Sequence, residues 1–209
     1  EINGSYYRNG PDPKFSPRGG KSHWFGGDGM VHAFHINNGK VSYINRWMRT
    51  VKWLKEHEAG EALFPSGMDP TDTDPSVQGL KTDGLANTSI VSHAGKLFAL
   101  EEAHAPFEFD PFTLESIGSH TFDSKLQGPV TAHPKVDPVT GELLFFGYMA
   151  DGFFSDTIRY TSVSKDGNIS KSELIKAPFP SMVHDFFATE NYIIIPVSYT
   201  HLRAHETET

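Results

Sequence analysis

This sequence predicts an all-β domain of the β-propeller kind, and three observations carry that expectation: a composition weighted to aromatics and turn formers, a series of hairpin signals, and the recurrence of those hairpins at a near-constant interval. The 209 residues hold 16 Phe, 19 Gly and 14 Pro. Aromatic side chains suit pleated surfaces, and Gly and Pro supply the corners between short strands.

Taken in order, "VHAFHINNGKVSYINRW" reads as two alternating strands around Asn38-Gly39, a pair that readily takes the positive φ angles of a primed hairpin turn. "NRWMRTVKWLKEHEAGEALF", Asn45 to Phe64, has helical stretches and reads as an insertion crossing one face. "SIVSHAGKLFALEE" is a hairpin around Ala94-Gly95, "VDPVTGELLFFGYM" turns between Asp137 and Gly141, and "IRYTSVSKDGNISKSELI" turns at Asp166-Gly167. An apolar strand follows each of the turns at Gly39, Gly95, Gly141 and Glu190, which stand 56, 46 and 49 residues apart. Repeats of roughly 40–50 residues with several short strands each mark propeller blades, because each small sheet needs neighbours to cover its faces. A β-sandwich with regular turns spaces its strands as evenly, so pattern alone leaves that fold open.

Charge excludes some functions. With 18 Lys+Arg against 26 Asp+Glu the formal net charge is −8, and the positive residues form no run that could track a phosphate backbone. Nucleic acid is therefore not an expected partner. The longest apolar runs, such as Tyr192 to Val197, fall short of the roughly 20 residues that cross a bilayer, and no leader opens the chain. The expectation is a soluble, cytoplasmic protein. Without cysteine, any transition-metal site must come from His, Asp or Glu. Asn3, Asn87 and Asn168 head Asn-x-Ser/Thr triplets, which carry little meaning without a secretion signal. The chain starts at Glu1 and reads as part of a longer protein; nothing in it sets an oligomeric state.

Two of the 11 histidines stand apart from the rest. His133, in "TAHPKVDP", precedes the Gly141 turn by eight residues, and His184, in "MVHDFFATENY", precedes Glu190 by six. In a propeller both fall where a blade's innermost strand begins, so imidazoles from successive blades can meet on the axis. A His-Pro pair also marks an ordinary extended turn. Imidazole-only sites suit iron, copper, zinc or nickel, and the spacing does not choose among them.

"YYRNGPDPKF", "HWFGGDGMVHAF", "TAHPKVDP" and "MVHDFFATENY" together resemble, in order and spacing, the motifs of the carotenoid cleavage oxygenase family, which includes the lignostilbene dioxygenases and the retinal pigment epithelium isomerohydrolase. The resemblance runs from about residue 4 to residue 196. It implies a seven-bladed β-propeller, of which residues 1–196 cover roughly the first half, with Fe(II) on the axis held by four histidines. His133 and His184 take the first two ligand positions by this resemblance, and the other two belong to later blades. Glu102, in "LFALEEAHAPFEFDP", matches the glutamate that accepts a ligand histidine's ring N–H, and is expected to serve His184. Phe25 matches an aromatic that lines the substrate channel in some members, with core packing as the alternative.

The same resemblance implies a reaction: O₂ adds across a conjugated carbon–carbon double bond and two carbonyl products leave, with an apolar conjugated substrate and no obligatory protein acid or base. Two departures bear on it. Glu101 stands where the lignostilbene branch has a lysine for the phenolic oxygen, which points to carotenoids, apocarotenoids or neutral stilbenes. Gly26 stands where the family has Asp, for which the sequence offers no reason. The aromatic-rich "GYMADGFFSD" and "IKAPFPSM" would frame a tunnel, make peripheral contact with membranes, or serve as ordinary loops. A non-catalytic propeller scaffold is the rival reading, and a calcium lactonase is disfavoured by the lack of carboxylate ligands. The tail "VSYTHLRAHETET", residues 197–209, resembles translated adapter read-through and is expected to be non-native, so His201 and His205 are set aside as ligands.

Overall fold

A computed structural model describes residues 2–20, 22–66 and 70–197. The tail expected to be non-native, with His201 and His205, lies outside them apart from Val197. The chain divides into two compact units, Glu1–Glu101 with Pro106–His120, and Glu102–Ala105 with Thr121–Thr209.

In the first unit, β1 (Gly4–Pro11), β2 (Gly29–Asn37) and β3 (Lys40–Trp47) form an antiparallel meander. A second meander holds β4 (Ser89–His93), β5 (Lys96–Leu100), β6 (Phe107–Phe109) and β7 (Ser116–Ser119). Val31 and Ala33 of β2 bury against Leu97 and Ala99 of β5, with Phe107, Phe109 and Leu114 completing the cluster. The turns follow from local chemistry. Asn38 and Gly39, at φ 49° and 74°, link β2 to β3, and Ala94-Gly95 repeats that geometry between β4 and β5.

The helical segment is shorter than the sequence suggests. α1 spans Val51–Ala59, while Asn45 to Trp47 stay in β3. Thr50 starts the helix by accepting the Trp53 N–H through its side chain, and Gly60, at φ 78°, ends it in the left-handed region. The helix turns Lys52, Trp53 and Glu56 inward. The Lys52 ammonium reaches Asp28 Oδ1 at 2.9 Å and Glu56 Oε2 at 2.6 Å, and Glu56 Oε1 accepts the N–H groups of Leu63 and Phe64. Burial raises the Asp28 carboxyl above its ordinary value, against the pull of Lys52. In this unit the Gly26 substitution finds its reason: a Cβ there would lie 2.1 Å from the Ser66 carbonyl oxygen. Asn87 is buried and donates to the carbonyls of Phe25 and Gly27, so its triplet is structural.

The second unit contains β8 (Lys135–Val136), β9 (Leu143–Tyr148), β10 (Thr157–Val163) and β11 (Ile169–Lys176), ordered β11-β10-β9-β8. β12 (Phe187–Ala188) pairs with β13 (Ile193–Ile194). Phe146, Ile158, Val183 and Phe186 form the core of this unit. The β8–β9 turn is organised by Asp137, whose Oδ1 accepts the N–H groups of Val139 and Thr140. Asp110 does the same for Phe112 and Thr113 between β6 and β7.

The turn alignment needs one correction. The turns at Gly95, Gly141 and Glu190 each join the first two strands of their sheets, whereas the Gly39 turn joins the second and third. The displaced phase comes from β1, which ends in Asn9-Gly10-Pro11 and carries no strand signal of its own, yet pairs along its whole length with β2.

Candidate metal centre

The second unit brings three of the singled-out residues together: Glu102, His133 and His184 place their ligand-type atoms within 4.8 Å of one another. Each comes from just outside a strand, where the backbone is free to aim a side chain. Glu102 lies two residues past β5, His133 two residues before β8, and His184 three residues before β12. The segment leading to His133 is fixed on β9 by the Thr131 N–H donating to the Phe146 carbonyl at 2.7 Å. Gly147, next along β9, allows the close approach, since a Cβ there would fall 2.1 Å from the Pro129 carbonyl oxygen. The segment bearing His184 is anchored by Phe186, buried edge-on against Phe146 with centroids 5.2 Å apart.

Within this frame the two imidazoles meet edge to face, and their Nε2 atoms lie 3.0 Å apart. On the far side of His184, Nδ1 donates to Glu102 Oε1. That bond holds a proton on the His184 Nδ1 and turns Nε2 toward His133. Glu102 Oε2 accepts the Tyr148 hydroxyl at 3.3 Å, so the carboxylate is engaged behind the histidine. Burial lowers the His133 pKa from its ordinary value, reinforced by His184 and Lys135 and opposed by Asp185 and Glu102. The neutral imidazole is the form that can ligate a metal.

The donor set fits a first-row divalent ion. The two Nε2 atoms, 3.0 Å apart, are close enough for one ion to touch both at ordinary metal–nitrogen lengths of about 2.0–2.1 Å. Aspartate and thiolate play no part, and the one carboxylate nearby is oriented by hydrogen bonds toward ring N–H and phenol.

Phe25 belongs to the other unit. It is 70% exposed, with its ring centroid 5.3 Å from that of His23. Sequence reasoning missed Tyr148, Thr131 and the Lys135–Asp185 ion pair. The last had a faint signal: Lys135 follows His133 by two residues, and Asp185 follows His184 directly.

Comparisons with known proteins agree with this architecture. The chain is 42% identical over 198 residues to the isoeugenol monooxygenase of Pseudomonas nitroreducens, covering 94% of this chain and 41% of that protein. It is 38% identical to lignostilbene-alpha,beta-dioxygenase isozyme III of Sphingomonas paucimobilis, covering 40% of it. Among solved structures, the Pseudomonas brassicacearum lignostilbene dioxygenase superposes with a TM-score of 0.88 at 39% identity, over 94% of this chain and 41% of that one. A mutant of the Synechocystis apocarotenoid oxygenase gives 0.76 at 27% identity, covering 93% of this chain and 43% of that one. The chain thus spans about two fifths of the length of these relatives, and its sheets are those of a partial β-propeller. The family model of the retinal pigment epithelial membrane protein, RPE65, matches residues 1–208, and the chain belongs to that family of carotenoid oxygenases.

Proposed function

We propose that this chain forms part of a non-haem Fe(II) dioxygenase that cleaves a conjugated carbon–carbon double bond of a carotenoid, apocarotenoid or stilbene, giving two carbonyl products. The observation that carries this reading is the His133–His184 pair, with Nε2 atoms 3.0 Å apart and Glu102 on the outer nitrogen of His184. Relatives named as lignostilbene dioxygenase and carotenoid 9,10(9′,10′)-cleavage dioxygenase support the reaction class. Both atoms of O₂ enter the products, one on each carbon of the broken bond, so the equation balances without a further reductant. A ferrous ion, when bound, supplies the binding and activation of dioxygen. His133 and His184 would hold it as neutral ligands, and Glu102 holds the His184 proton on Nδ1 and offsets part of the ion's charge. No side chain need exchange a proton with substrate.

In this reading two further ligands come from later blades that this chain does not include, and the present chain alone binds iron weakly and is inactive. The test compares iron content and loss of polyene or stilbene absorbance for this chain and for a full-length protein carrying it, with β-apocarotenals and neutral stilbenes as substrates. Stoichiometric iron and turnover in the full-length protein only is the expected result. A full-length protein that is iron-free and inactive after ferrous loading would overturn the proposal, and so would full activity of the short chain.

A further inference from the structure

The two ligand-type histidines sit on separate segments 51 residues apart, and the His184 side chain is 71% exposed. Among the described residues that ring is held by polar contacts more than by packing. What links the two segments is a pair of polar ties. The buried Thr131 hydroxyl accepts the His133 N–H at 3.1 Å and donates to the His184 carbonyl at 3.4 Å. Lys135 Nζ meets Asp185 Oδ1 at 2.7 Å.

The ion pair is tied down at both ends. Asp185 Oδ1 also accepts the Phe186 N–H at 2.8 Å, which sets the carboxylate at the threshold of β12. Lys135 is the first residue of β8, paired with Leu144, and its ammonium stands 5.5 Å from the centroid of the buried Phe186 ring. As a contribution to stability such a pair counts for little, since Lys135 and Asp185 are 36% and 49% exposed and exposed ion pairs contribute about 0–1 kcal/mol. Other exposed pairs here, Lys55–Glu58 and Lys171–Glu173, join residues close in sequence. Lys135–Asp185 instead joins, across 50 positions, a residue two past His133 and the residue directly after His184.

We infer that the Lys135–Asp185 ion pair, together with the Thr131 hydroxyl, is a positioning clamp that sets the two imidazoles at ligating separation before a metal arrives. The inference rests on the metal reading proposed above. A site assembled in advance loses less conformational freedom on binding, so the clamp acts on affinity more than on folding.

Co²⁺ binding to the metal-free full-length protein tests it, read by calorimetry and by the visible absorption of the bound ion. Lys135→Met keeps the contact with Phe186 and removes the charge. Asp185→Asn keeps the acceptor for the Phe186 N–H. Each is expected to weaken Co²⁺ binding about tenfold, as loss of outer partners does elsewhere, and to alter the absorption bands, with the urea midpoint of the metal-free protein unchanged. The double variant is expected to be no weaker than either single one, because the same interaction is lost. Lys135→Arg and Thr131→Ser keep the hydrogen bonds and are expected to bind like the parent, while Thr131→Val is not. Parental affinity and spectrum in Lys135→Met and Asp185→Asn would overturn the clamp and leave the metal reading standing. Additive losses in the double variant would also overturn it. A parent protein that takes up no Co²⁺ would remove both.

Discussion

Asp28–Lys52–Glu56 and Glu102–His184–His133 are both trios of ionisable side chains within hydrogen-bonding distance, and what separates them is the polar capacity left unused. In the first, all three residues are buried, the ammonium is shared by two carboxylates, and the spare oxygen of Glu56 takes two backbone N–H groups. In the second, the carboxylate holds one ring nitrogen of His184, while the remaining nitrogens of the two rings face each other across 3.0 Å. One cluster is closed on itself and acts on the fold. The other turns two imidazole Nε2 atoms toward each other and is fitted to receive something.

The largest expected effect is on the closed cluster. Lys52→Met strands two buried carboxylates, and removing one partner of a buried ion network costs about 3–5 kcal/mol. Urea unfolding should register that loss, with Co²⁺ affinity of the folded full-length protein unchanged. A cost below about 1 kcal/mol would mean that the trio is solvated. Next comes the open cluster, where the pattern should invert. Glu102→Gln keeps an oxygen to accept the His184 N–H but removes the charge, so Co²⁺ affinity should fall about tenfold while the unfolding midpoint stays within about 0.5 kcal/mol of the parent. Equal affinities would deny Glu102 its role.

The smallest effect concerns pH. Burial raises the folded-state pKa of Asp28 above the ordinary 3.8, outweighing Lys52. Its protonation therefore favours the fold, a contribution present below the ordinary value and lost as the pH rises through the raised one. The parent should gain stability relative to Asp28→Asn as the pH falls from 7 to about 4, measured as the difference between unfolding midpoints. A difference that moves the other way would show that attraction to Lys52 dominates burial.

How much of this was legible depended on the distance over which each signal acts. The Asn38-Gly39, Ala94-Gly95 and Asp166-Gly167 turns are set by two or three adjacent residues, and each glycine is found at positive φ. β1 carries no such signal, because it is a strand by virtue of β2, whose partner residues lie 18 to 32 positions on, and not by its own alternation. Helical character around residues 45–64 was visible, but its true limits are set by Thr50 and Gly60. Nothing in the sequence ties Asp28 to Lys52, and only the fold brings the two together. At the histidines, equal placement ahead of a strand gave the pairing, and the family resemblance gave Glu102. Lys135 and Asp185 follow no period and match no template, and beyond their nearness to the histidines only three dimensions show their bond.

Gly147 shows how a residue without a functional group can govern one that has it. Its bare Cα is the surface on which the Pro129 carbonyl rests, and the peptide chain runs from there through Thr131 to His133. An added methyl would have to push that segment outward, carrying the imidazole with it. In a mutational map of the protein, position 147 should therefore stand out with the histidines, for a reason that no inventory of polar side chains would disclose.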